Sequence, residues 1–526
     1  MRIQDFPLFT ATMTVFTALQ FGSQQPAVAQ GVHAQWLTRA GSTAPVSGIS
    51  LATDFNTNIF VLGRFAMNTT IGTHSLSTTE GVTNVFLTKF RYQSSDAPLW
   101  SVAPTIEQPI VEARHAALPN GMNAVAGSFS GSSLGYGSAA VTNAGDADIF
   151  VAGIDTLGNV AWLQRAGGSA KESFADIGAE RSFGGGAFYL AGTFESASFT
   201  FGDSTLTKIG TEPNCFTVKL DPQGNVAWVR QGTFASTFAL TLDAANNCYV
   251  AASSLGETSF DGISPASQTT SNVLVKYNSA GMVQWVRGDM VLGNKIKIDA
   301  GGNLFTAGSF SNVIHFGSVT LSNANSSTIF VAKYDSDGDL AWARQLPGQG
   351  KDAANDIAFD SRTNCWIAGR FASPGPNGEV TNPVAALVCL DPSGELRADA
   401  AQLGSGTSEA FALGNTYHPF NGMPILTFVG GSFTGTFSLE TRGLTNNGPA
   451  DLFVGWIAAG PKLEVTRDGS DLVLSWPAVE GVGFGLEATD LSGGGWTSVP
   501  NVSFVNGKMV FSTNATSGLQ FFRLRK

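Results

Sequence analysis

Charged residues are scarce in this chain: Asp, Glu, Lys and Arg together make up 13% of its 526 residues. The net charge is −11, and no cluster of Lys or Arg occurs along the sequence. Nucleic-acid binding and attachment to an anionic membrane surface depend on such clusters, so both are disfavoured. No apolar run after residue 29 approaches the ~20 residues of a membrane-spanning helix. We therefore expect no membrane span in the mature chain.

Histidine and cysteine, which supply many catalytic and metal sites, are also scarce. The five histidines are scattered, without an HExxH motif or any paired spacing. The segment from Gly127 to Gly131 has the glycines of a nucleophile elbow but carries Phe129 in place of the nucleophile. No phosphate-binding Gly-x-x-x-x-Gly-Lys-Ser/Thr loop occurs. No motif in the sequence identifies a catalytic residue. A carboxylate pair for glycoside hydrolysis, assembled from distant segments, is an open alternative.

The four cysteines are Cys215, Cys248, Cys365 and Cys389, and none has the spacing of a zinc site. Cys248 and Cys365 occupy the same position in two different repeats, so we expect them to lie too far apart to bond. An oxidising compartment would permit Cys215 with Cys248, or Cys365 with Cys389. The other interpretation is that all four are buried thiols within strands.

The first 29 residues have the pattern of an export signal. Arg2 precedes an apolar stretch from Phe6 to about Phe21, and Ala27-Val28-Ala29 is a small-x-small cleavage site. We therefore predict a signal peptide over residues 1–29, a mature chain that begins near Gln30, and a location outside the cytoplasm: extracellular, cell-surface or periplasmic.

A repeated hairpin dominates the rest of the chain. Its clearest copy runs from Ile329 to Gly348: an apolar run, an Asp-x-x-Gly turn, and a second run that contains Trp342. Two strand-length runs around such a turn predict a β-hairpin. Further copies begin at residues 84, 149, 215, 273 and 386. From Trp100 onwards, equivalent positions are 56 to 66 residues apart, a period typical of propellers and other β-arrays.

A second pair of strands lies between successive hairpins. Asn294 to Phe310 and Asn355 to Phe371 show its pattern: apolar-x-apolar-Asp, a turn, then aromatic-x-Ala-Gly-x-Phe. Each repeat therefore predicts a four-stranded blade, with the apolar-x-apolar-Asp strand innermost, the Ala-Gly strand second and the Trp strand outermost. We expect the Ala-Gly pair to let adjacent sheets approach closely. The repeat tryptophans are predicted to pack between neighbouring blades; they are Trp36, Trp100, Trp162, Trp228, Trp285 and Trp342.

The two ends of the repeat array each carry half a hairpin. Ala34 to Gly41 contains Trp36 and Arg39 with the spacing of a fourth strand, and Asp451 to Ile457 matches a third strand. If these halves pair, they close a ring and protect its sheet edges. The sequence thus predicts an all-β fold: a seven-bladed β-propeller of four-stranded blades over residues 30–460, closed by N- and C-terminal strands.

The repeat consensus Asp-[Ile/Phe]-Phe-Val-Ala-Lys-Tyr-Asp-x-x-Gly-x-x-x-Trp-Ala-Arg resembles the bacterial extracellular β-propeller repeat family. The resemblance covers roughly residues 31 to 459, and the copies that begin at Ile149, Cys215 and Ile329 carry it most strongly. That family is defined by its fold and has no shared set of catalytic residues, so the resemblance implies an architecture and leaves the function open.

The repeats stop at Gly460, and residues 461–526 have a different pattern. Short strands around Asp468-Gly469 and Asn506-Gly507 predict a small β-sandwich. Leu472 to Pro477 resembles the start of a fibronectin type III or immunoglobulin-like module.

One turn has the composition of a metal site. Asp335, Asp337 and Asp339 place three carboxylates within five residues, which could hold Ca²⁺. The equivalent turns lack the additional acids, so a purely structural Asp-x-x-Gly turn is the preferred interpretation. We expect no other cofactor.

Three functions fit these observations. The leading hypothesis is an exported, non-enzymatic binding or scaffold protein whose partner is an extracellular protein or glycan. The second is an extracellular polysaccharide hydrolase or lyase with its site at the channel mouth. The third is a structural component of a surface layer.

Overall fold

All regular structure in the described part of the chain is β-strand, as the alternating apolar pattern predicts. The computed structural model describes residues 17–18, 30–40, 43–91, 98–110, 112–181, 186–266, 272–346, 352–371, 384–401, 408–417, 424–439, 442–446, 450–459, 464–468, 471–477, 485–490, 497–505, 508–514 and 520–525. Within these ranges no helical segment has the length and apolar character that a membrane crossing requires.

The repeats form units of four antiparallel strands, which we call A to G, with strands numbered by their order in the unit. Units C and D share one sheet, and units F and G share another, through a short parallel pairing of Gln30 and Gly31 with Ala398 and Asp399. Unit A contains Val46–Thr53, Asn58–Phe65, Asn84–Arg91 and Trp100–Val102. Unit B contains Ala113–Ala117, Asn123–Phe129, Asp148–Ile154 and Val160–Gly167. Unit C contains Glu172–Ala179, Phe188–Phe194, Asn214–Leu220 and the first part of the long strand Val226–Leu242.

The second part of that long strand is the first strand of unit D, so one continuous strand links two units. Unit D continues with part of Cys248–Phe260, Asn272–Tyr277 and Val283–Met290. Unit E contains Lys295–Ile298, parts of Leu304–Phe316 and Val319–Tyr334, and Leu340–Gln345. Unit F contains Ala353–Phe359, Cys365–Phe371, Val384–Leu390 and Leu396–Ala401. The predicted order of strands within a repeat is therefore confirmed.

Unit G combines strands from both ends of the repeat array. Its first three strands are Ser408–Tyr417, Pro424–Phe433 and Asp451–Ala459, and its fourth is Gln30–Ala40. The fourth strand pairs antiparallel with the third, so that Trp36 lies opposite Trp456 and Arg39 opposite Phe453. The two half-hairpins recognised in the sequence thus do pair with each other.

The hydrophobic core lies between units, because each buried cluster contains side chains from two of them. Clusters join A with B, B with C, C with D, D with E, E with F, and F with G. A further cluster joins G with A, where Phe411 and Phe428 pack with Leu51 and Val61. Sheets that pack face to face around a common centre make this a propeller-type fold.

The glycine of the second strand in units A, B, C, E and G has a different cause from the one predicted. Gly192 lies opposite Phe216 of the third strand, and a Cβ at Gly192 would stand 2.6 Å from the Phe216 ring. Gly431 and Phe453 repeat this relationship in unit G. In these five units the glycine makes room for an aromatic ring of its own sheet, so there the expectation that it brings adjacent sheets together was wrong.

Short accessory strands connect the units at their outer edges. They are Thr69–Ile71, His74–Leu76, Thr105–Ile106, Ser133–Tyr136, Ala139–Thr142, Ser198–Phe201, Ser204–Thr207, Thr436–Leu439 and Arg442–Thr445. Most contain the Phe-Gly-x-x-x-Leu element or its variants. Phe199, for example, stacks on Phe216 of unit C with ring centroids 4.6 Å apart.

The C-terminal strands form two separate sheets. One contains Glu464–Asp468, Asp471–Pro477, Lys508–Asn514 and Ser503–Val505. The other contains Thr17–Ala18, Gln520–Arg525, Gly485–Asp490 and Thr497–Ser498. Leu474 and Trp476 of the first sheet share a buried cluster with Leu486 of the second. The remainder of the predicted signal peptide lies outside the described residues.

Candidate binding site in the central channel

The first strands of units A to G surround one cavity of about 140 Å³. Phe55, Pro119 and Arg181 follow the ends of the first strands of A, B and C and also line this cavity. The other lining residues come from the first strands themselves: Leu51, Ala52, Thr53, His115, Ala116, Ala117, Ile177, Gly178, Ala179, Leu240, Thr241, Leu242, Lys297, Ile298, Ile357, Ala358, Phe359, Leu413, Gly414 and Asn415. Small-molecule pockets usually measure about 300–1,000 Å³, so this channel admits a small group rather than a whole ligand.

The charge of the lining contrasts with that of the chain. Arg181 and Lys297 line the cavity, and no Asp or Glu is among its described lining residues. The whole chain nevertheless carries a net charge of −11. Hydrolysis of a polysaccharide would require two carboxylates beside the substrate. The described lining residues contain no such carboxylate pair.

His115 is a buried polar residue of the channel wall. Its Nδ1 lies 2.7 Å from Ser50 Oγ of unit A, so the contact joins the first strands of two units. Burial lowers the pKa of His115 to about 3. The imidazole is therefore neutral at physiological pH, and it contributes a hydrogen bond rather than a charge.

Two aspartates near the channel also join neighbouring first strands. Asp176 Oδ2 accepts a hydrogen bond of 3.2 Å from the Leu240 amide, and Asp356 Oδ2 accepts one of 3.0 Å from the Leu413 amide. The other oxygen of each carboxylate accepts a bond from the next residue in its own strand. Both carboxylates thus have backbone donors, which hold them in place and stabilise their charge.

Cations occupy equivalent positions of other first strands. Arg114 in unit B and Lys295 in unit E hold the register position of Asp176 in unit C, since each lies opposite the alanine that precedes the glycine of the second strand. Burial lowers the pKa of Lys295, and the nearby charge of Arg114 lowers it further, whereas Asp176 and Asp356 raise it. Lys297 also lowers the pKa of Lys295. Lys297 lines the cavity, Lys295 lies two residues before it on the same face of the strand, and Arg114 holds the register position of Lys295 in unit B. We call these three residues the channel cations.

The repeat tryptophans act between units, not in the channel. Trp162 donates from Nε1 to the Pro222 carbonyl at 2.8 Å, and Trp228 donates to the Ser279 carbonyl at 3.2 Å. Each acceptor lies in the turn between the third and fourth strands of the following unit, Asp221-x-x-Gly for Pro222 and Asn278-x-x-Gly for Ser279. Trp100 and Trp342 make the equivalent bonds to Thr156 and Pro392. This geometry agrees with the predicted packing role.

Two of the predicted anchors differ from this pattern. Trp285 packs edge-on against Tyr249, and the next turn is instead approached by Arg287, whose Cγ would lie 3.5 Å from a Cβ at Gly338. Trp36 lies opposite Trp456 in the backbone register, and its side chain lies outside the described residues.

The acidic turn has the hydrogen bonds of a structural turn. Asp335 Oδ1 accepts bonds of 3.0 Å from the amides of Asp337 and Asp339. Asp155, in a turn without additional acids, accepts two equivalent bonds. Asp337 and Asp339 are exposed. Across the described ranges, no three His, Cys, Asp or Glu side chains are arranged to hold a metal ion. Calcium binding here remains an untested prediction.

The four cysteines are buried, and all are free thiols. Cys215 and Cys248 pack in one cluster between units C and D without a bond, and Cys365 and Cys389 belong to adjacent strands of unit F. Burial raises the pKa of Cys215 to about 12. The sequence allowed either disulfide bonds or buried thiols, and in the structure the cysteines are buried thiols.

Sequence reasoning identified the strand that carries Lys295 and Lys297 but not the role of its lysines. The available signal was their alternation in Lys295–Ile298, since the equivalent strands of the other repeats place mainly small or apolar residues there. Only the arrangement of the units shows that the first strands of several repeats face one cavity.

No protein-family model matches the chain. No curated protein is similar to it in sequence. Among solved structures, the Dos1 propeller is similar with a TM-score of 0.39 and 7% identity, over 80% of this chain and 95% of that one. Sqt1 from Chaetomium thermophilum is similar with a TM-score of 0.34 and 8% identity, over 84% and 97%. The exotype rhamnogalacturonan lyase YesX has a TM-score of 0.26 and 10% identity, over 92% and 90%. At these values the likenesses carry no argument about function.

Proposed function

We propose that this protein is an exported, non-enzymatic binding protein that holds an extracellular glycan or protein at the mouth of a propeller channel. The observation that carries the proposal is the narrow cavity, whose lining includes aromatic Phe55 and basic Arg181 beyond the ends of the first strands. A cavity of this size suits the end of a larger molecule. The repeated units supply a rigid support for that opening.

The architecture that belongs to this proposal is a closed, seven-bladed propeller over residues 30–460. Three observations support it: Gln30–Ala40 completes unit G, a buried cluster joins G with A, and first strands of A to G line one cavity. Residues 461–526 would form a fibronectin- or immunoglobulin-like β-sandwich, supported by the core that its two sheets share. Its proposed role is attachment or spacing.

Export is part of the same proposal and rests on the pattern of residues 1–29. N-terminal sequencing of the protein from its native cells tests it, and a start at Gln30 is the expected result. An intact Met1 in the cell fraction would contradict export.

Screening the purified chain against a glycan array and a panel of extracellular matrix proteins tests binding. We expect a ligand whose affinity falls about tenfold or more in Phe55→Ala, because a central aromatic contact of an interface commonly contributes at least 2 kcal/mol. Leu157→Ala is the control, since Leu157 is 74% exposed in a turn at the outer part of unit B. No ligand in either panel, or equal effects of both substitutions, would overturn binding at the channel mouth. Depolymerisation of an arrayed glycan would favour the enzyme instead.

A further inference from the structure

The charges on the channel wall are not balanced. Lys297 lines the cavity, Lys295 lies two residues earlier on the same face of the strand, and Arg114 holds the register position equivalent to Lys295 in unit B. The carboxylates of Asp176 and Asp356 hold that register position in units C and F. Those two carboxylates already accept hydrogen bonds from backbone amides of two strands each. The wall therefore has an excess of positive charge in a chain that is acidic as a whole.

The lysines have no acceptor of their own in the described part of the chain. Neither the Lys295 ammonium nor the Lys297 ammonium has a hydrogen bond or salt bridge to a described residue, and the Nε of Arg114 is buried without a partner. Other lysines have partners within the chain. Lys219, for example, forms an ion pair with Glu180, and its ammonium lies over the ring of Tyr189. Three cations beside two carboxylates leave one positive charge without a counter-ion, and a partly buried charge of this kind is unfavourable unless a further anion binds beside it.

The size of the cavity limits what that anion is. About 140 Å³ accommodates a group of a few heavy atoms together with water. A carboxylate or sulfate fits this description and forms charge-assisted hydrogen bonds with ammonium and guanidinium groups. Phe55, Pro119 and Phe359 add apolar surface to the same lining, which suits the C–H face of a sugar ring attached to the anion.

We infer that the channel binds an oxyanion, a carboxylate or sulfate, at Lys297 and the other channel cations, and that an acidic extracellular glycan carries this group. The inference rests on the proposed binding function and specifies the ligand class of the same site. Long-range attraction does not explain such binding, because the chain is itself anionic. The local arrangement of the cations must supply it.

Titration calorimetry of the full chain tests this inference with four probes: an oligogalacturonate, a sulfated oligosaccharide, a neutral galactose oligomer of equal length, and free acetate or sulfate. We expect the acidic oligosaccharides to bind at least about tenfold more tightly than the neutral one. Their affinity should fall as NaCl is raised, since salt screens the interaction. Binding by the free anions as tight as by the oligosaccharides would retain the anion site and reject the glycan as its source.

Substitution of Lys297 tests whether the anion binds in the channel. Lys297→Met keeps the aliphatic stem and removes the charge, so affinity should fall about tenfold or more. Lys297→Arg should retain most of the affinity. Lys208→Met is the matched control, because Lys208 is a half-buried lysine outside the cavity lining whose ammonium donates to the Thr211 carbonyl. Equal thermal stability of the variants would show that each is folded.

The outcomes separate the two proposals. If the neutral oligomer binds as well as the acidic ones and Lys297→Met changes nothing, the binding function stands and the anion inference is wrong. If free acetate or sulfate binds and neither acidic oligosaccharide does, the anion site stands and the glycan is rejected as its source. If no probe and no array ligand binds, both proposals fail.

Discussion

Arg39 donates a hydrogen bond of 3.1 Å from Nη1 to Oδ2 of Asp451, a residue 412 positions further along the chain. The Asp451 side chain is fully buried, and Arg39 is 24% exposed. Unit B contains the same ion pair, between Arg165 and Asp148 at 2.6 Å, within a single hairpin. The N-terminal strand therefore occupies in unit G the place that a local fourth strand has elsewhere.

This pair predicts that the N-terminal strand contributes to global stability. Arg39→Ala leaves a buried carboxylate without its cation and should lower the free energy of unfolding by about 2–4 kcal/mol. Urea denaturation followed by tryptophan fluorescence measures the change. Arg165→Ala is the control, since it breaks the equivalent pair inside one hairpin. A cost for Arg165→Ala but none for Arg39→Ala would show that residues 30–40 do not pair with Asp451–Ala459.

The contact between Trp228 and Gly281 predicts that the turn glycine is required for packing between units. Gly281 has φ +81°, and a Cβ there would lie 2.7 Å from the Trp228 ring. Gly262→Ala is matched for backbone strain, because Gly262 has φ +79° and no atom within 4 Å of the added Cβ. We expect Gly262→Ala to cost about 1–2 kcal/mol through the left-handed backbone alone. Gly281→Ala should cost at least about 1 kcal/mol more, because the ring must shift. Equal losses in the free energy of unfolding, measured by urea denaturation, would contradict the packing of Trp228 between neighbouring units.

His115 predicts a loss of stability in acid. Its pKa is about 3 in the folded chain, against an ordinary value of 6.5. Below pH 6.5 the unfolded chain therefore binds a proton at His115 that the folded chain does not bind. The free energy of unfolding that neutral His115 contributes above pH 6.5 is lost as the pH falls towards 3, by up to about 1.4 kcal/mol per pH unit.

Urea denaturation from pH 7.5 to 4 measures this dependence. His115→Gln should have lower stability at pH 7.5 but a weaker fall with acidity. His315→Gln, at an exposed histidine that bonds Thr320, should retain the wild-type slope. An unchanged slope in His115→Gln would contradict the assignment.

The turn at Asp335 predicts no specific stabilisation by calcium. Asp335 already accepts two backbone bonds that turns without additional acids also form. The melting temperature in Ca²⁺ should therefore rise no more in the wild type than in Asp337→Ala, as scanning calorimetry measures. A rise of several degrees in the wild type that disappears in Asp337→Ala would establish the metal site.

The sequence determined the local parts of this protein. The Asp-x-x-Gly turns, the period-two alternation and the spacing of the tryptophans predict four strands per repeat in the order observed, because turn chemistry and strand pleating are local properties. The half-motifs at Trp36 and Phe453 also indicated which distant strands pair, since each lacked a partner that the other could supply.

Only the tertiary structure decided what the side chains of each strand contact. The glycine of the second strand faces a phenylalanine of its own sheet, and the cysteines remain buried thiols. Lys297, unremarkable within Lys295–Ile298, gains significance because strands from distant repeats place it beside Lys295, near Arg114, on the wall of one cavity. Electrostatic interaction depends on distance through space, and a repeat pattern fixes that distance only once the units are packed around their common centre.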